Sequence, residues 1–169
     1  MCAPALLLAL FLAPAVHACS GKLDRMLRYS GGYKTAEVLG DPAVDAALKR
    51  LLGSELAHLQ RNLGVSGPVD LIACDLVISG NAPHQGGEEN AIIDISVYSG
   101  AVAAAILSQG KIAIYFNHGK SSPGHDYGEA VPLAIKDWLA VIYTKFYFRF
   151  NPPAKAQLLP PQGEPPSSH

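Results

Sequence analysis

One histidine and two glutamates, His84, Glu88 and Glu89, lie close together in the loop Ser79-Gly80-Asn81-Ala82-Pro83-His84-Gln85-Gly86-Gly87-Glu88-Glu89. An imidazole beside two carboxylates can move protons or hold half of a metal site. The other half would have to come from His118, His125 and Asp126. The spacings match no metal or catalytic signature, and the chain holds no GxSxG, HExxH, P-loop or GxGxxG. Ser79, Ser121 and Ser122 have no neighbours that mark a nucleophile. What the loop offers instead is shape. Glycines on both sides permit a tight path, and Pro83 removes backbone freedom beside the histidine. Such a loop holds one imidazole away from the fold at low ordering cost, which suits a plug for another protein's cleft. The expected contact residues are Pro83, His84, Gln85, Glu88 and Glu89. No catalytic residue, metal or cofactor is expected, and the chain is read as a binding protein rather than an enzyme.

The loop must be positioned by the β-type runs on either side of it. Val69 to Ser79 reads as one strand, with Ile72, Cys74, Leu76 and Ile78 on a single face, or as a hairpin turning at Ala73-Cys74-Asp75. Strands usually run about five or six residues, which favours the hairpin. Beyond the loop, Ala91, Ile93, Ile95 and Val97 alternate with Ile92, Asp94, Ser96 and Tyr98, the pattern of a half-buried strand. Turns at Ser99-Gly100 and Gln109-Gly110 separate two further strands, Ala101 to Leu107 and Lys111 to Asn117. Turns this short make neighbouring strands antiparallel.

The resulting meander needs a cover. Asp41-Pro42 can open a helix, Asp as cap and Pro at the first helical position. Val44, Leu48, Leu51, Leu52, Leu56, Leu59 and Leu63 then recur on one face. Gly64 is expected to end the helix in a left-handed conformation, and Gly53-Ser54 to divide it, with Ser54 capping the second half. His58 is expected to be a solvated or core-edge histidine and not a catalytic one. Residues 118–130 read as a polar loop. Pro132 opens a second helical pattern with Leu133, Ile135, Trp138, Leu139 and Ile142. From Tyr143 the period shifts to strand-like alternation through Phe146, Phe148 and Phe150. The fold class is α+β: an antiparallel meander under one long helix, with a second, C-terminal helix.

The termini speak to compartment. Leu6 to Leu12 forms an apolar stretch too short to span a bilayer, and Val16-His17-Ala18 offers small residues for a signal peptidase, although no Lys or Arg precedes them. Residues 1–18 are therefore expected to be a signal peptide, 19–150 a single domain and 151–169 a disordered Pro-rich tail, in a periplasmic or secreted protein. Cys19 follows the expected cut. It could carry a lipid anchor, the one membrane contact foreseen, or pair with Cys74 in an oxidising compartment. The formal net charge is −1, and the basic residues are dispersed. This argues against nucleic-acid binding.

An exported α+β chain, a β-run ending in Ser79-Gly80, and a Pro83-His84 loop leading into another strand together resemble the Ivy family, the inhibitors of vertebrate lysozyme. That family carries a Cys-Lys-Pro-His-Asp-Cys loop whose histidine enters the lysozyme cleft. Laid on this chain, Pro83 and His84 match. The cysteine positions fall on Asn81 and Gly86, the lysine on Ala82 and the aspartate on Gln85, so the family's loop disulfide is absent. The resemblance implies a helix-covered antiparallel sheet of about five strands, and a lysozyme or other glycoside hydrolase as partner. Two alternatives stand beside it. One is an envelope interaction module that binds elsewhere, for example through the aromatic run 143–150. The other is a small enzyme or metal-binding protein using His84, Glu88 and Glu89.

Overall fold

The computed structural model describes residues 19–116 and 131–146, with Gln157–Leu158. The Asp41 carboxylate accepts hydrogen bonds from the Ala43 and Val44 amides, and Pro42 takes the first helical position. This satisfies donors that a helix start leaves open. Arg25 grips the same carboxylate at 2.7 and 2.8 Å from a short 3-10 helix, Asp24–Tyr29. Helix α1 is Thr35–Leu39, and α2 is Pro42–Leu52. Gly53, at φ 52°, then turns the chain through a 3-10 segment, Gly53–Glu55, into α3, Leu56–Asn62. The break falls where Gly53-Ser54 places it, but the N-cap of α3 is Glu55 and no side chain caps it.

The apolar stripe is buried as its spacing requires. Val44, Leu48, Leu51, Leu52, Leu59 and Leu63 lie in the core, with Leu56 packed at its edge. Gly64 does not take the left-handed conformation expected of it. A Cβ there would lie 3.2 Å from Pro83 Cδ, so the glycine lets the Pro83-His84 loop approach the helix end.

The sheet holds β1 (Val65–Ser66), β2 (Asp70–Ile72), β3 (Asp75–Asn81), β4 (Glu89–Ser96), β5 (Val102–Ser108), β6 (Lys111–Phe116) and β7 (Gln157–Leu158). Strands β3 to β6 form the antiparallel meander, and β1 and β2 both pair with β3, as two pieces of one edge. Within the tail expected to be disordered, β7 pairs in parallel with β6. The β2–β3 connection is the hairpin, and Ala73 and Cys74 both have positive φ, 49° and 70°. That is the pattern of a two-residue type I′ turn, usually built from Asn-Gly. Gln109-Gly110 repeats it between β5 and β6, at 50° and 73°.

Both faces of the sheet are covered. Leu76, Ile78, Ala91, Ile93, Ile95 and Ile106 pack with the stripe of α2 and α3. Val77, Ile92, Ala105, Ile112, Ile114 and Phe116 pack with Ala134, Ile135 and Ile142 of the C-terminal helix α4, Leu133–Phe146. The half-buried reading of β4 is thereby corrected, because Asp94 is only 5% exposed. The helix also continues through Tyr143–Phe146, where strand-like alternation was expected. Phe148 and Phe150, like residues 1–18 and the 118–130 loop, lie outside the described residues. No described helix is long and apolar enough to cross a membrane.

Cys19 and Cys74 form a disulfide, Cα–Cα 5.3 Å, across 55 residues of chain. Its sulfur is the atom that a lipid thioether would need, so one molecule cannot carry both. The bond joins the N-terminal segment to the tip of the β2–β3 hairpin. Closing a loop of this length stabilises by about 4 kcal/mol in the chain-entropy model. Cys19→Ser is accordingly expected to lower the unfolding free energy by ~2–4 kcal/mol in a urea titration, and reduction of the wild type by dithiothreitol to do the same.

Asp94 faces Asp75 on the second side of the sheet. Burial, and then the charge of Asp75, push the Asp94 carboxyl up from the ordinary aspartate value to about 7. The folded protein therefore holds a proton that the unfolded chain has released. The resulting stability is present at low pH and is lost as pH rises from about 4 to about 7. Asp94→Asn should be more stable than wild type by ~2–4 kcal/mol at pH 8, with the gain shrinking toward pH 4. Thermal melts across that range check it.

Candidate functional site

The loop between β3 and β4 is built from two consecutive turns. The Gln85 amide donates to the Ala82 carbonyl at 3.0 Å, closing a four-residue turn with Pro83 second and His84 third. His84 has φ 62°. Proline at the second place and positive φ at the third define the type II pattern, in which the third residue is usually Gly or Asn. The Glu88 and Glu89 amides both donate to the Gln85 carbonyl at 3.1 Å, making the second turn, and the Ala82 amide donates to the Glu89 carbonyl at 3.0 Å across the base. Pro83, His84, Gln85 and Glu88 are exposed. The imidazole thus stands at the tip of a loop whose base is closed by backbone bonds.

Glu89 belongs to the inside. It is the first residue of β4 and is 8% exposed. Its Oε1 accepts from Ser108 Oγ at 2.6 Å, and its Oε2 lies 2.9 Å from His58 Nε2 and accepts from Asn62 Nδ2 at 3.1 Å. The Arg61 guanidinium stands 3.7 Å away. Burial pushes the Glu89 carboxyl upward, but the bonds from Ser108, His58 and Asn62 outweigh it, and the group sits below the ordinary glutamate value. Asn62 is fully buried, and its Nδ2 also reaches the Asn90 and Leu107 carbonyls at 3.3 and 3.2 Å. His58 is the core-edge histidine its helical position suggests. Its second ring nitrogen faces Glu55 at 3.2 Å. The loop's last residue is therefore tied to α3 and β5 at once.

Asn81 and Gly86 face each other across the neck of the loop. A Cβ on Gly86 would lie 3.4 Å from Asn81 Nδ2, which itself donates to the Ala82 carbonyl at 2.9 Å. Residues 43–144 match the family model described as inhibitor of vertebrate lysozyme, Ivy. This chain belongs to the Ivy family. The matched stretch spans α2, α3, the meander, the Pro83-His84 loop and most of α4. Comparison with curated proteins and with solved structures gives no match. The resemblance drawn from the sequence would put the two loop cysteines at Asn81 and Gly86. The Asn81 side chain lies between the two strands of the neck, beside Gly86.

The structure does not gather His84, Glu88 and Glu89 into one site. Glu89 turns toward α3, while His84 and Glu88 are exposed. Among the described residues, no three His, Cys, Asp or Glu side chains are grouped to hold a metal ion. His118, His125 and Asp126 lie outside the described residues. Sequence reasoning missed the anchor of His58, Asn62 and Ser108. The available signal was the four-residue spacing of His58 and Asn62, which puts both on one helix face.

Removing the anchor has a definite cost. Glu89→Ala strands the Ser108 hydroxyl and the His58 ring nitrogen, leaves Asn62 with its two carbonyl partners, and is expected to destabilise by ~2–3 kcal/mol in a denaturant titration. The depressed carboxyl adds a pH signature. Its stability is present above the ordinary glutamate range and is lost as pH falls through the folded value. The difference between wild type and Glu89→Ala should narrow on acidification.

Proposed function

We propose that this Ivy-family protein is exported and inhibits a lysozyme, or another cell-wall glycoside hydrolase, by placing the Pro83-His84 turn in the cleft of that enzyme. The observation that carries the reading is His84 itself. It is exposed and held at φ 62°, in a turn position where glycine would be free of strain. A bulky residue kept in such a conformation costs on the order of 1 kcal/mol or more, and strain of this kind gathers at functional contacts.

The chemistry suits the target. A glycosidase cleft presents two carboxyl groups. A neutral imidazole has one donor and one acceptor nitrogen, and a protonated one has two donors. Either form can bridge a pair in which one carboxyl is ionised. Pro83 fixes the approach of the turn, and its ring lies where a Cβ on Gly64 would crowd it, close to the end of α3. Gln85 and Glu88 flank the imidazole in exposed positions and are available to the cleft rim. Glu89 acts from inside, as the anchor.

Export draws support from two features. Residues 1–18 have the apolar run and small-residue end of a signal peptide. The Cys19–Cys74 disulfide suits the periplasm or the extracellular space, where such bonds persist.

Titration against a panel of lysozymes tests the plug. Wild type is expected to inhibit at least one. His84→Ala should weaken that inhibition about 30-fold, equivalent to about 2 kcal/mol, with no fall in melting temperature. His84→Gly should weaken it as well while stabilising the fold by about 1 kcal/mol, because it releases the turn strain. Equal inhibition by His84→Ala and wild type would show that the turn is not the plug. Wild type inactive on the whole panel would remove the inhibitory reading.

A further inference from the structure

A groove of about 470 Å³ runs beside the base of the loop, between the β1 and β3 edge of the sheet and helix α4. Its volume falls in the range of ~300–1,000 Å³ typical of small-molecule sites. One wall is apolar and aromatic, from Trp138 and Val141, and Val141 is 45% exposed. The other wall carries hydroxyls and amides, from Ser66, Ser79, Asn81 and Asn90. Val65, Ile142 and four glycines complete the lining, and no charged residue contributes to it. The lining therefore selects an uncharged ligand with one hydrophobic face and several hydrogen-bonding groups.

The polar groups narrow the choice. Asn90 Nδ2 is buried and makes no hydrogen bond among the described residues. Leaving a buried donor unpaired costs about 1–3 kcal/mol, so a rotation of the Asn90 side chain that turns Nδ2 toward a ligand acceptor would relieve it. Asn81 spends its Nδ2 on the Ala82 carbonyl, which leaves Oδ1 as an acceptor. The Ser66 hydroxyl is committed to Thr35 at 2.6 Å. The Ser79 side chain carries no such bond among the described residues. An acetamido group supplies a carbonyl for Asn90, an N–H for Asn81 and a methyl for the apolar wall. A pyranose ring supplies a C–H face for the indole and hydroxyls for Ser79. We infer that this groove binds a neutral saccharide bearing N-acetylated sugar units, at a site separate from the His84 turn. The inference does not depend on the plug, because no atom of His84 lines the groove.

The chain supplies its own probe, since Trp138 is its single tryptophan. The experiment titrates the full mature chain with tri-N-acetylchitotriose and follows tryptophan emission and amide NMR shifts. The expected result is a saturable emission change with shifts at Ser79 and Asn81. Asn90→Leu and Val141→Glu should each weaken the apparent affinity at least fivefold. Val141 is exposed on α4, so that variant tests the groove without disturbing the core. His84→Ala should bind the saccharide as wild type does. Cellotriose, which lacks the acetamido group, should bind at least fivefold more weakly. No emission change and no amide shift up to millimolar saccharide would overturn the inference. So would binding by both groove variants as tight as wild type, or binding of cellotriose as tight as that of the acetylated sugar.

Discussion

The Glu89 carboxylate is the point where helix, sheet and loop are fastened together. It ends the loop and begins β4, and it takes hydrogen bonds from α3 and β5 at the same time. A buried carboxylate is costly unless it is fully partnered. Here His58, Asn62 and Ser108 each supply a donor, and the depressed carboxyl value shows that together they outweigh burial. The loop therefore has no freedom to swing about its C-terminal end. Its N-terminal end is set by the β3–β4 ladder, which runs to the Asn81–Asn90 pair.

With both ends set, the tip can hold an unfavourable backbone conformation. The positive φ of His84 would not survive in an isolated peptide, where the residue could relax. Two turn bonds to Gln85, Pro83 against Gly64, and the base bond between Ala82 and Glu89 over-determine the geometry. A contact residue fixed before binding loses less entropy on association. In a loop closed by a disulfide that fixing would be covalent. Here it comes from non-covalent bonds and from the Asn81 amide lying across the neck.

Much of this was legible in the residues, and the failures have physical causes. Asp41-Pro42 and the leucine spacing mark the long helix because capping and periodicity are local effects. The alternation of β4 locates the strand but does not reveal that both its faces are covered. The second cover, α4, is distant in sequence, and Asp94 on the inner side looks like a solvent-facing residue. Ala73-Cys74 is a poor pair for a type I′ turn, so the hairpin rested on length and not on turn chemistry. Tyr143–Phe146 alternates like a strand but continues the α4 helix, whose earlier turns are packed on the sheet. The loop could be found from its glycines and proline. Glu89 could not be separated from Glu88, because glutamates are rarely buried and its partners lie up to 31 residues away.

The covalent bond sits at the opposite end of β3 from the loop. Cys74 precedes the strand, the Pro83-His84 turn follows it, and its seven residues span roughly 20 Å. Thiol chemistry and loop geometry are thereby uncoupled. Reduction loosens the attachment of the N-terminal segment and lowers global stability, yet every bond that shapes the loop remains. A relative with the cross-link inside its loop would lose binding geometry when reduced. This chain would lose lifetime instead, unfolding sooner under stress while each folded molecule still presents the same imidazole.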